Sequence, residues 1–173
     1  LTQTLGFTED GGNVALSDIV VTDPDAGDTL TATLTLSNAG AGTLTTGIFG
    51  AAASAYNAGT GVWTVSGTAA DVNAALASVA FVPAPDFDQN TTITTRVRDA
   101  AGTGPADGTI TLNATGVNDA PVAFAESMTV AEGGAATTLV SGATSLLAND
   151  TDPENDPMTA VLVTGPANGS LVL

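Results

Sequence analysis

The sequence contains no cysteine, no histidine and no lysine. Without cysteine there are no disulfides, no thiolate metal sites and no cysteine nucleophile. Without histidine as well, the usual Ser-His and Cys-His triads cannot form. The only cations are Arg96 and Arg98, set against 18 acidic residues, for a formal charge of −16. Such a chain repels nucleic acid and anionic lipid, so neither is expected as a partner. Aromatics are only 4% of residues, so any core must be built mainly from Val, Leu, Ile and Ala. No run reaches the ~18 apolar residues of a membrane span, and no direct membrane insertion is expected. The opening "LTQTLGFTEDGG" has neither the basic region nor the apolar stretch of a signal peptide, so an export signal is expected outside this chain.

What is present suffices for a packed core: 43% of the 173 residues are hydrophobic. That length holds one ordinary domain, or one small domain and part of another. The charge is accounted for by a highly soluble surface, by a salt-rich habitat, or by bound multivalent cations. Small secreted domains without disulfides need another staple, and calcium is one.

The dominant hydrophobic period is two. "TLTATLTLS" (29–37) places Leu30, Ala32, Leu34 and Leu36 on one face and threonines on the other. "VWTV" (62–65), "TITTRVRD" (92–99) and "GTITLNATG" (108–116) repeat the alternation. Short Thr- and Val-rich strands between Gly, Asn and Asp turns predict an all-β, immunoglobulin-like antiparallel sandwich. "NAGAG" (38–42) and "NAGTG" (57–61) are expected as hairpin loops. One stretch, "GTAADVNAALASVAF" (67–81), has helical spacing instead. Thr68 can cap it and Asp71 suits its positive end, which predicts a short crossover helix near 69–77.

Part of the sequence occurs twice. "FTEDGGNVAL" (7–16) is echoed by "VAEGGAATTL" (130–139), and "VTDPDAGDTLTATL" (21–34) by "DTDPENDPMTAVL" (150–162). The offset is domain-sized. Residues 1–117 are therefore expected to form one domain, 118–122 a calcium-binding linker, and 123–173 the first strands of a second domain.

Calcium takes six to eight hard oxygens from carboxylates, carbonyls and water, which suits this composition. The candidate ligands fall at predicted strand ends: Glu9, Asp99, Asn118, Asp119, Asp150, Asp152 and Asp156. If two domains lie end to end, Glu9 and Asp99 from one end of the first are expected to meet the linker and the acidic loop of the second. Asp23, Asp25 and Asp28 are then half of an equivalent cage. The competing reading is local, since Asp-Pro-Asp and Asn-Asp-Pro form turns by bonding nearby backbone amides. An EF-hand does not fit: counting from Asp23, positions six and twelve hold Asp28 and Leu34 rather than Gly and Glu.

The segments "FTEDGG", "VTDPDAGD", "VSGTAADVNAALASVAFVPAPDF", "VRDAAGTG" and above all "GVNDAPV" carry a family likeness. The chain resembles the cadherin-like, or VCBS-type, tandem repeats of large bacterial surface proteins and adhesins. The resemblance implies an immunoglobulin-like sandwich, calcium at repeat junctions, an extracellular or cell-surface location, and a spacer or adhesive role beside neighbouring repeats. It implies Glu9, Asp99, Asn118, Asp119, Asp152 and Asp156 as junction ligands. The linker departs from the cadherin pattern, because Gly116 stands where its first Asp would be and its second Asn is missing. One or two ions are expected there rather than three.

Three functions follow as expectations. The first is a calcium-rigidified structural module of a surface adhesin. The second is a subunit of a fibre or lattice, in which another copy completes the second domain by strand addition. The third is a carbohydrate-binding module using the aromatics Phe49, Tyr56 and Trp63. Catalysis is not expected. The acids cluster at domain ends rather than around a cleft suited to paired-carboxylate hydrolysis.

Overall fold

The computed structural model describes residues 1–16, 19–25 and 27–172; Ala26, inside "VTDPDAGD", lies outside them. The chain divides into two compact units, Leu1–Val117 and Asn118–Leu173.

The first unit is a β-sandwich with one short helix. Its strands are β1 (Thr2–Thr8), β2 (Val14–Ala15), β3 (Leu30–Leu36), β4 (Gly42–Leu44), β5 (Ile48–Phe49), β6 (Ala52–Ala53), β7 (Ala55–Asn57) and β8 (Val62–Gly67). Helix α1 (Ala69–Ser78) follows, then β9 (Ala80–Pro83), β10 (Thr91–Arg98) and β11 (Gly108–Thr115). One sheet has the order β1-β11-β10-β3-β8-β7, a second β2-β9-β4, and β5 and β6 form a small hairpin.

Alternation decides which face is buried. Along β3, Leu30, Ala32, Leu34 and Leu36 are buried and the threonines between them are only half-buried. In β10, Thr91, Ile93, Thr95 and Val97 point inward. Trp63 of β8 and Phe81 of β9 are fully buried and join the two sheets in one core. Burying each such side chain contributes roughly 1.5–3 kcal/mol. The indole N–H of Trp63 donates to the Thr45 carbonyl at 2.9 Å, so the ring is buried without orphaning its polar atom. Phe7 meets Phe81 edge-on, with centroids 5.3 Å apart, and stacks against Phe87 at 6.4 Å.

Helix α1 forms where the 3.6-residue spacing predicts it. The Thr68 hydroxyl accepts from the Asp71 N–H at 3.2 Å, and Val72, Ala75 and Leu76 are buried. The helix carries the chain from β8 in the large sheet to β9 in the smaller one.

Two expectations are corrected, and the second unit adds an observation of its own. The sandwich is not purely antiparallel: β1 runs parallel to β11, from Thr2 beside Thr109 to Thr8 beside Thr115. Parallel pairing needs no local turn signal, so the alternation in the sequence could not reveal it. "NAGTG" does close the β7–β8 hairpin, but "NAGAG" is no hairpin. There a 3₁₀ turn, Ala39–Ala41, is capped by the Asn38 side chain and carries the chain from β3 across to β4 in the other sheet. Finally, the described residues of the second unit form no strand ladder. They contain one antiparallel bridge, Val122 with Thr151, whose N–H groups each donate to the other's carbonyl at 2.8 and 3.1 Å. Leu139 is the single buried hydrophobic described there, while Val161 and Val163 are 78% and 93% exposed. An alternating segment gains little from strand geometry unless an opposing layer covers its apolar side.

Candidate metal centre

The strand register fixes which acids share an end of the first unit. Glu9 follows β1 and lies where β11 finishes, because its N–H donates to the Thr115 carbonyl at 3.1 Å. Strand β10 is antiparallel to β11, with Thr91 opposite Leu112 and Thr95 opposite Gly108. Asp99, just past β10, therefore sits at the other end, the full length of β11 away, at least about 25 Å. The expected convergence of Glu9 and Asp99 is thus corrected. Strand direction, which the sequence alone did not determine, separates them.

Asp99 shares its end with the "VTDPDAGD" loop, since Arg98 pairs with Thr31 near the start of β3. There the aspartates act as turn formers. Asp23 Oδ1 accepts from the Asp25 N–H at 2.9 Å, and the Asp28 N–H donates to the Asp25 carbonyl at 3.3 Å. Asp99 Oδ1 accepts from the Thr103 N–H at 2.8 Å, and this bond chiefly holds its carboxyl below the usual range.

At the opposite end Glu9 is 1% exposed. One of its oxygens, Oε1, accepts from the Val117 N–H, in a very short bond. The other, Oε2, is buried with no hydrogen-bond partner among the described residues. A buried carboxylate oxygen without a donor calls for a cation or a water. Three acids that sequence reasoning missed stand nearby. Asp88 and Glu9 both flank Gly116: a Cβ built there would lie 3.7 Å from Asp88 Cβ and 3.4 Å from Glu9 Oε1. Asp10 and Asp86 bring carboxylate oxygens within 4.8 Å of each other. The Phe87 ring, packed on the core, anchors the loop that presents Asp86 and Asp88. The one available signal was an aromatic between two aspartates directly ahead of a strand, in "PDFDQN".

In the second unit the expected ligands do come together. Asn118, Asp119, Asp150, Asp152 and Asp156 line one cleft of about 420 Å³. Local bonds set their positions. Asp150 Oδ1 accepts from the Phe124 N–H at 2.8 Å, and Asp152 Oδ1 from the Asp156 N–H at 2.9 Å. Asn118 Nδ2 donates to the Asp119 carbonyl at 3.0 Å. Glu154, also missed from sequence, accepts from the Asp119 N–H at 3.2 Å and has an oxygen within 4.8 Å of an Asp119 carboxylate oxygen. Both arginines belong to the first unit, so no side chain of this unit offsets the carboxylates of the cleft. The donor set is all hard oxygen, which fits calcium and fits no metal that prefers nitrogen or sulfur.

Among the described residues no helix is long and apolar enough to cross a membrane. Searches of curated proteins and of solved structures returned no match. Residues 118–173 match the family model described as a bacterial Ig domain, which supports an Ig-like repeat of the kind carried by bacterial surface proteins.

Proposed function

We propose that this chain is a calcium-rigidified structural module, of cadherin-like or VCBS type, from a large exported bacterial surface protein, serving as an adhesin segment or matrix spacer. The observation that carries this reading is the cleft lined by Asn118, Asp119, Asp150, Asp152 and Asp156. Four carboxylates in one cleft repel one another, and a divalent cation turns that repulsion into attraction. Calcium held there fixes loops that no strand ladder fixes. The buried, donor-free Glu9 Oε2 gives the first unit its own reason to take a cation. The module works outside the cell, beside neighbouring repeats, by mechanics rather than catalysis.

Calorimetric titration of the whole chain with calcium tests the proposal. Saturable binding is expected, with Asp152→Asn losing the heat of the second-unit site. Absence of saturable heat in the unsubstituted chain contradicts it.

The exposed apolar segment around Val161–Val163 favours a second reading, in which a strand from another copy covers it and copies join into a fibre. Polymers in electron micrographs of purified chain support that reading, and a uniformly monomeric sample removes it.

A further inference from the structure

Among the described strands, most edges of the sheets are blunted by shortness. β2, β5 and β6 have two residues each, and β4 and β7 three. Strand β1 is different. It is an edge strand of seven residues, "TQTLGFT", with no charge and no proline, and its one described ladder is with β11. Those are the features that leave an edge able to pair.

The hydrogen-bond phase shows which groups are open. In the parallel ladder Leu1 accepts from the Thr109 N–H, and the Glu9 N–H donates to Thr115. Because alternate residues of a strand bond to the same side, odd-numbered residues of β1 face β11. The N–H and C=O groups of Thr2, Thr4, Gly6 and Thr8 therefore face outward, and all four residues are exposed; of these groups the Thr8 carbonyl is already engaged, accepting from the Gly11 N–H at 3.1 Å. Leu5, between them, is only half-buried.

We propose that β1 is a self-association edge, where a second copy of this chain pairs antiparallel through its own β1 about a two-fold axis at Leu5. In that register Thr2 faces Thr8 and Thr4 faces Gly6; each Thr4–Gly6 pair exchanges two bonds, and each Thr8 N–H donates to the Thr2 carbonyl opposite. Leu5 meets Leu5 on the core side, and threonines meet threonine or glycine on the outer side. Every outward group is used except the Thr2 N–H, which faces the engaged Thr8 carbonyl, and the surface is self-complementary, as a two-fold interface requires. The occupant is set by this self-complementarity, and charge keeps the pairing weak at low salt. A copy carrying −16 is repelled by most of its twin's surface, and β1 offers it seven uncharged residues. The pairing therefore strengthens with ionic strength.

The test is light scattering after size exclusion of the whole chain, in chelator so that calcium plays no part. It compares low salt with about 1 M salt, where the screening length falls to about 3 Å. Dimers that grow with salt are expected. Thr4→Pro removes an outward donor but no bond to β11, and should weaken dimerisation at least tenfold with an unchanged unfolding midpoint. Leu5→Cys offers a fold-independent check in a cysteine-free chain. Its Cα should lie about 4.5 Å from its twin's, within disulfide range, so mild oxidation should give a covalent dimer. Thr8→Cys, which faces Thr2 of the other copy, should not. A wild-type chain that stays monomeric in high salt overturns the proposal. So does a Thr4→Pro chain that dimerises undiminished, which moves the contact to another strand or to the apolar second unit. Equal cross-linking of Leu5→Cys and Thr8→Cys also overturns it.

Discussion

Asp107 holds both cations of the chain. Arg96 reaches its Oδ2 at 2.8 Å and Arg98 its Oδ1 at 2.7 Å, while Arg98 also donates to the Pro105 carbonyl at 2.9 Å. The three side chains tie β10 to the loop that leads into β11. The hydrogen bond from Arg96, ahead of that from Arg98, keeps the Asp107 carboxyl below its ordinary value, and Arg96 is correspondingly raised. A carboxylate depressed in the folded state adds stability above its unfolded pKa of 3.8, and that stability is lost as pH falls through the lower folded value. Asp107→Asn is therefore expected to unfold at a lower temperature than the wild type at neutral pH. The gap should close as the pH drops below about 4. Scanning both proteins by circular dichroism across that range checks it, and a pH-independent gap contradicts the ionic account. Arg96 and Asp107 are exposed and Arg98 only half-buried, so the effect is small and shrinks further with salt.

At the scale of elements, the crossover at Gly42 is the tightest backbone approach in the sandwich. Its φ is +152°, and a Cβ there would lie 2.1 Å from the Val82 carbonyl oxygen of the paired strand β9. Gly42→Ala is expected to cost at least about 2–3 kcal/mol, combining backbone strain with a clash. Gly102→Ala, with φ +80° but open space around the new methyl, should cost only about 1–2 kcal/mol. Urea denaturation of both variants measures the difference, and equal losses would remove the steric part of the argument. How far the elements were legible follows from what each one needs. β3, β8, β10, β11 and α1 stood out because long periodic runs specify their own geometry. The 3₁₀ turn at Ala39–Ala41 did not, since "NAGAG" and "NAGTG" are nearly the same word and only the destination of the next strand separates a crossover from a hairpin. The parallel pairing of β1 was equally hidden, and with it the end of the sandwich to which Asp99 belongs. The five residues of the second-unit cleft were legible because "VNDAP" and "NDTDPENDP" carry their oxygens densely. Asp86 and Asp88 were not, because the sheet and the Phe87 anchor bring them to Glu9's end from a distant stretch, and Asp10, next to Glu9 in sequence, joins a group of acids only through Asp86.

At the scale of the whole molecule, the chain carries −16 with an aliphatic core and no covalent staple. The first unit offsets that charge with a packed sandwich. The second has one β-bridge and one buried hydrophobic among its described residues, so little of its order comes from apolar burial. On the proposed reading, a bound cation would supply what burial does not, and its contribution would follow mass action, about 2.7 kcal/mol when calcium exceeds its dissociation constant a hundredfold. The most direct test is thermal unfolding of the whole chain in millimolar calcium and in excess chelator, beside Asp119→Asn and Asp152→Asn. The account predicts a midpoint that rises with calcium in the wild type by several degrees, and a much smaller rise in both variants. Identical midpoints with calcium and with chelator would contradict it and leave the acidic loops as turns whose charge serves solubility alone.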